Sequence, residues 1–236
     1  MYNGTKTLIV GNGEVGKGIY EVLKDTYEVK IKDKEDIDYD PQIIHICFPY
    51  SEDFQIECDR LKAKYNPEFI IINSTVVPGT TEELGGDYVY SPIRGKHPNL
   101  AESIRTFVKY IACTNTENLS KAYEHFFKAG LQVESFDRPT SLEVAKIMST
   151  TKYGWDIVFN KMLHKLCDEM ELDFEKVYTH WTKTYNEGYQ AMGNPEFTRP
   201  VLKYMPGKIG GHCVVNNTKL MNNELTKLVK LYDSLL

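Results

Sequence analysis

The 236 residues are 42% hydrophobic and 26% charged, enough for one large or two modest globular domains. A net charge of −5 leaves no basic footprint for nucleic acid or an anionic membrane surface, and no apolar run approaches the roughly 20 residues that span a bilayer. The five cysteines (Cys47, Cys58, Cys113, Cys167, Cys213) are odd in number, irregularly spaced and without a CxxC pair, so neither a disulfide framework nor a metal site is expected. With no apolar leader at the start, the chain reads as cytoplasmic.

Lys6 to Val10 is a short apolar run that stops at a glycine cluster, and Val15, Ile19, Val22 and Leu23 then share one helical face. Further strands are expected at Tyr27 to Ile31, Ile43 to Phe48, Phe69 to Ile72, Tyr88 to Tyr90, Tyr110 to Cys113 and Gln132 to Ser135, with helices at Phe54 to Tyr65 and Leu119 to Ala129. Strands alternating with helices argue for a parallel sheet covered on both faces.

The alternation ends near Pro139. From Ser141 to about Met170 a helical stripe runs through Val144, Ile147, Met148, Thr151, Trp155, Val158, Phe159, Met162, Leu166 and Met170. A helix of that length reaches about 45 Å, so one end is expected to pack on another element or another subunit. Tyr185 to Gly211 reads as a long loop with short helical pieces, and a last helix is expected from Thr218 to Leu235. The expected division is a dinucleotide-binding domain over 1–138 and a helical domain, built on the one long helix, over 139–236.

Gly11-Asn12-Gly13-Glu14-Val15-Gly16 is a G-x-G-x-x-G between a strand and an amphipathic helix. Gly11 permits the tight turn, Gly13 lets the backbone approach a pyrophosphate, and Gly16 lets helix and strand pack closely. The helix N-terminus then offers N–H groups to the phosphates. These features specify a Rossmann domain. Asp33, about 20 residues on, would accept the ribose hydroxyls and repel a 2′-phosphate, favouring NAD; Lys30, Lys32 and Lys34 surround it.

Further segments carry a family resemblance: Cys47-Phe48-Pro49, the Asn73-Ser74-Thr75-Val76-Val77-Pro78-Gly79-Thr80-Thr81 element, Ser91-Pro92, Glu143-Val144-Ala145-Lys146, and Pro206-Gly207-Lys208-Ile209-Gly210-Gly211-His212-Cys213. In order and spacing the chain resembles nucleotide-sugar dehydrogenases of the UDP-glucose/GDP-mannose class. Its cysteine loop is most similar to that of the UDP-N-acetylmannosamine dehydrogenase branch.

The resemblance implies NAD-dependent oxidation of a sugar or nucleotide-sugar C6 alcohol to a carboxylate, through a thiohemiacetal and a thioester on Cys213. It also implies that Thr75 places a water, that Phe48, Pro49, Ser74 and Thr75 line the cofactor, and that Asn160 and Asn217 stand at catalytic positions. Lys152, Gly210, Gly211 and His212 would then meet the substrate. A homodimer through the 141–170 helix follows from the same likeness; exposure of Tyr153 or Trp155 would favour it.

The chain departs from the family pattern at Ile93, where Glu is usual, at Asp156, where Lys or Asn is usual, and at Asn217, where Asp is usual. Asn160, its neighbour Lys161 and Lys152 are the candidates to replace the helix residues. Only one helix is expected after the cysteine loop, whereas the family continues into a second, nucleotide-gripping domain. These departures keep open an alternative, a dinucleotide-binding regulator or partner subunit without the full chemistry. A third reading is a β-hydroxyacid dehydrogenase using Lys152 with Asn160, or Lys146 with Thr150.

Overall fold

Five strands, β1 (Lys6–Val10), β2 (Glu28–Lys32), β3 (Ile43–Ile46), β4 (Phe69–Ile72) and β5 (Tyr88–Tyr90), pair in the order β2-β1-β3-β4-β5 in the computed structural model, all of them parallel. Residues 4–96, 98–210 and 213–234 are described. Thr7 of β1 stands opposite Val29 on one side and Ile43 on the other, so the chain reverses its direction of advance at β1. In open parallel sheets that reversal opens a ligand crevice at the carboxyl ends of the strands.

β3 and β4 are buried along their whole length, which explains their continuous apolar runs. On one face Ile9, Ile43, Ile71 and Val89 pack with α1 (Glu14–Leu23), α4 (Leu100–Thr106) and α5 (Thr116–Lys128). On the other, Leu8, Ile44, Ile46, Ile70 and Ile72 pack with Phe54, Cys58 and Leu61 of α2 (Phe54–Tyr65). The expected strands near 110 and 133 form a separate parallel pair, β6 (Lys109–Ile111) and β7 (Val133–Ser135). An antiparallel bridge joins Ala112 to Tyr90.

In the sheet unit the sequence periodicity shows neither α3 (Thr80–Leu84) nor α4. Both are shorter than two full turns, too short to show a repeating face.

The long helix, α6, runs Pro139–Glu169. The chain divides into two compact units inside it, Met1–Lys146 and Ile147–Leu236. Its first turns belong to the sheet unit, for three reasons. Leu142 joins the core on the α2 face, Glu143 bonds the turn after β4, and Lys146 Nζ donates to the Ile93 carbonyl at 2.8 Å.

In the second unit a π-helical turn, Glu175–His180, leads directly into α7 (Trp181–Ala191). The expected loop therefore starts only near Gly193 (φ +74°). Most α7 side chains are exposed, so the segment carries little apolar periodicity. The single helix expected at the C-terminus is two, α8 (Val214–Lys219) and α9 (Glu224–Ser234). Between them Asn223 Oδ1 accepts the Thr226 N–H at 2.9 Å, an N-terminal cap that starts a new helix.

Val158, Ile209, Val214 and Val229 form the main core of this unit, with Trp155 packed beside them and its Nε1 donating to the Leu225 carbonyl. Gly154 admits α8 and α9: a Cβ there would stand 2.8 Å from Val214. Among the described residues no helix is long and apolar enough to cross a membrane, and no cluster of His, Cys, Asp and Glu could hold a metal ion.

Candidate active site

The glycine turn is built by three different constraints. Gly11 takes φ +111°, and a Cβ on it would come within 2.8 Å of the Cys47 carbonyl carbon; its N–H donates to the Lys32 carbonyl at 2.9 Å. A Cβ on Gly16 would lie 1.9 Å from the Gly11 carbonyl oxygen. A Cβ on Gly13 would meet nothing within 4 Å. The first two glycines are demanded by the protein's own packing, while Gly13 leaves an open cradle at the start of α1, where no side chain caps the helix. That geometry fits a pyrophosphate lying on helix N–H groups. Asn12 and Glu14 are exposed at the rim, Val15 packs partly against the core, and Asp33 is exposed directly after β2.

The ends of β3 and β4 are tied together beside this turn. Ser74 Oγ donates to the Phe48 carbonyl at 2.5 Å, and Phe48 leans on Phe54 with ring centroids 5.2 Å apart. Pro49 is exposed and Thr75 half-buried. Cys47 is buried, and that burial pushes its thiol up to about 12, making it an inert packing residue. The turn that follows is held by Glu143, whose buried carboxylate accepts N–H groups from Gly79 (2.6 Å) and Thr81 (3.0 Å) and the Thr81 hydroxyl (2.6 Å). Burial raises the Glu143 pKa against the opposing pull of these donors.

Beneath lies a buried polar chain that sequence reasoning missed. Asn73 Nδ2 donates to the Ser91 carbonyl at 2.7 Å, so its Oδ1 faces His45 Nδ1 at 2.9 Å and the proton sits on that nitrogen. Burial pushes the His45 pKa down to about 3, so the ring is neutral and its Nε2 is an acceptor. His125 Nε2, 3.0 Å away, must then be the donor, and His125 Nδ1 is left without a partner. From the other side Lys109 Nζ donates to the Ser91 (2.7 Å) and Pro92 (3.1 Å) carbonyls; burial without an anion pushes its pKa down to about 7. A lysine in a three-residue strand carries no sequence signal of burial, because only the tertiary fold closes the sheet edge over it.

In the second unit Cys213 is half-buried immediately before α8, and its carbonyl accepts the Asn217 N–H at 2.9 Å. The Asn217 side chain donates to Thr150 Oγ1 on α6 at 3.2 Å. The other expected residues engage elsewhere. Asn160 is buried and donates to the Leu202 carbonyl at 3.1 Å, and Lys152 pairs with Asp156 at 2.5 Å. Lys161 Nζ donates to the Met205 and Gly207 carbonyls and so pins the loop that leads to Gly210, which is exposed. Asn160 is ten residues along α6 from Thr150, about 15 Å of helix. Gly211 and His212 lie outside the described residues.

No protein-family model matches the chain, and no curated protein sequence matches it. Solved structures do. UDP-D-ManNAc dehydrogenase from Pyrococcus horikoshii is 15% identical with a TM-score of 0.77, over 98% of this chain and 68% of that one. A UDP-glucose dehydrogenase from Pyrobaculum islandicum is 14% identical with a TM-score of 0.73, over 99% and 68%. A 3-hydroxyisobutyrate dehydrogenase from Mycobacterium tuberculosis is 11% identical with a TM-score of 0.70, over 98% and 94%. The chain thus carries the fold found in nucleotide-sugar dehydrogenases and spans about two thirds of their length. At these identities the likeness is one of fold.

Proposed function

We propose that this chain is an oxidoreductase acting on a CH–OH group with a nicotinamide dinucleotide, NAD in preference to NADP, and that its substrate is a sugar or nucleotide sugar. The observation that carries the reading is the open cradle at Gly13, framed by two glycines that the packing itself requires. Asp33, exposed at the end of β2, would take the ribose hydroxyls. Phe48, Pro49, Ser74 and Thr75, at the ends of β3 and β4, would line the nicotinamide half.

When bound, the nicotinamide would accept the hydride removed in each oxidation. In this reading the Cys213 thiolate adds to the aldehyde carbon to form a thiohemiacetal; loss of a hydride leaves a thioester, and water cleaves it to the carboxylate and the free thiol. Asn217, bonded to Thr150, is a hydrogen-bonding group and a very poor base, so it would hold that water without deprotonating it. Asn160 and Lys152 would need new partners to reach substrate. The exposed row Phe159, Met162 and Leu166 on α6, continued by Met170 just past its end, together with exposed Tyr153, supports a second copy of the chain as the partner of that helix.

The test mixes the purified chain with NAD and, separately, a panel of UDP- and GDP-sugars and a panel of small 3-hydroxy acids, and follows NADH. Two NADH per sugar, abolished by Cys213→Ala, is the expected result. One NADH per substrate, unaffected by Cys213→Ala and seen with small 3-hydroxy acids, would instead favour the β-hydroxyacid reading, for which the near-complete overlap with 3-hydroxyisobutyrate dehydrogenase speaks. Cofactor binding with no turnover on either panel would support a dinucleotide-binding partner or regulator.

A further inference from the structure

Lys32 ends β2, and its carbonyl receives the Gly11 N–H at 2.9 Å, so this strand end lies against the glycine turn. Three residues past Asp33, Asp36 gathers three cations. Lys32 Nζ is 2.8 Å from it, Arg60 Nη1 2.9 Å and Lys64 Nζ 2.7 Å. Arg60 also holds Glu57 at 2.8 Å. These hydrogen bonds hold the Asp36 carboxyl well below the usual carboxylate range.

Exposed ion pairs ordinarily contribute little to stability. This cluster differs in one respect: the Lys32 side chain is 1% exposed, so its ammonium is a buried charge that must have an anion. It also has an excess of cations. With Glu57 counted, two carboxylates face three cations, and Asp36 alone presents two oxygens and a single charge to all three. A phosphate monoester presents three oxygens and about −1.5 to −2 charges, the better match for a lysine–arginine–lysine set. The end of β2 is where dinucleotide folds discriminate the adenosine ribose.

We propose that Asp36 sets the choice of dinucleotide by occupying the Lys32–Arg60–Lys64 triad, which would otherwise receive the 2′-phosphate of NADP. This rests on the glycine turn being a dinucleotide site. Asp33 and Asp36 then divide the work: the first accepts the ribose hydroxyls, and the second cancels the cations that would reward a phosphate.

The test titrates the intact chain with NADH and with NADPH and reads nicotinamide fluorescence. NADH is expected to bind the parent more tightly. Asp36→Asn should tighten NADPH about tenfold or more while NADH changes by less than about threefold. Adding Lys64→Ala to Asp36→Asn should remove the gain. Asp36→Ser, which leaves Lys32 a hydroxyl, serves if the asparagine variant folds poorly. Asp38→Asn, at an exposed acid two residues on, controls for bulk charge. An unchanged NADPH affinity in variants that still bind NADH would overturn the inference and leave the dinucleotide reading standing, as would an equal gain in Asp38→Asn. A parent that binds neither cofactor would overturn both.

Discussion

Glu143 reaches from the second turn of α6 to the Gly79 N–H at 2.6 Å and joins the start of the long helix to the turn after β4. Its other oxygen takes two further donors from Thr81. Glu143→Ala would strand three donors in a dry site, at a cost of about 3 kcal/mol. Glu143→Gln keeps one acceptor oxygen and should cost less. Urea unfolding of both variants measures the difference; a loss under about 1 kcal/mol for the alanine variant would mean that water replaces the carboxylate.

Two glycines of the turn should separate stability from binding. Gly16→Ala would drive a Cβ into the Gly11 carbonyl oxygen and should lower the unfolding temperature. Gly13→Ala meets open space and should leave stability nearly unchanged, while costing dinucleotide affinity about tenfold or more. Thermal melts and cofactor titrations on the same samples distinguish them. Full affinity in Gly13→Ala would remove the pyrophosphate from this cradle.

Stability should fall as pH falls, in two separate windows. Between the ordinary lysine value of 10.5 and about 7, the unfolded chain keeps a proton on Lys109 that the folded chain has lost. From 6.5 down to about 3 the same holds for His45, and His125 is likewise depressed well below 6.5. In each case the unfolded state binds more protons, so stability rises with pH by about 1.4 kcal/mol per pH unit for each group. Urea midpoints taken from pH 5 to 10 should show both slopes. Lys109→Met should flatten the alkaline slope and leave the acid one; an unflattened slope would mean that the buried ammonium stays charged.

The apolar row on α6 predicts its own test. Phe159 is 61% exposed, Met162 and Leu166 continue the same face, and exposed Met170 follows directly after the helix. If a second copy covers it, light scattering should give twice the chain mass, and Met162→Glu with Leu166→Glu should give the single-chain mass with the fold intact. An identical mass for parent and variant would leave the row without this partner.

Much of the sheet unit was legible because its signals are local. The G-x-G-x-x-G stands between a strand and a helix, and continuous apolar runs marked β3, expected to reach Phe48 but ending at Ile46, and β4. Helix α6 was legible from its long stripe. The failures have equally physical causes. α7 is a helix with most of its side chains in solvent, and the break between α8 and α9 depends on one asparagine cap. Trp181, at the start of α7, is 69% exposed and marks no core.

The amino-acid order alone determined which residues meet within a turn or a strand: the glycine loop, the acid after β2 and the long helix, because φ/ψ freedom and side-chain period act over a few residues. Only the tertiary structure decided which distant groups share a dry environment. It set Glu143 against Gly79, His45 against His125, Lys109 beneath Ser91, and Lys32, Arg60 and Lys64 around Asp36. Burial is a property of everything packed around a group, and it is burial that makes an ordinary lysine, histidine or aspartate into a constrained one.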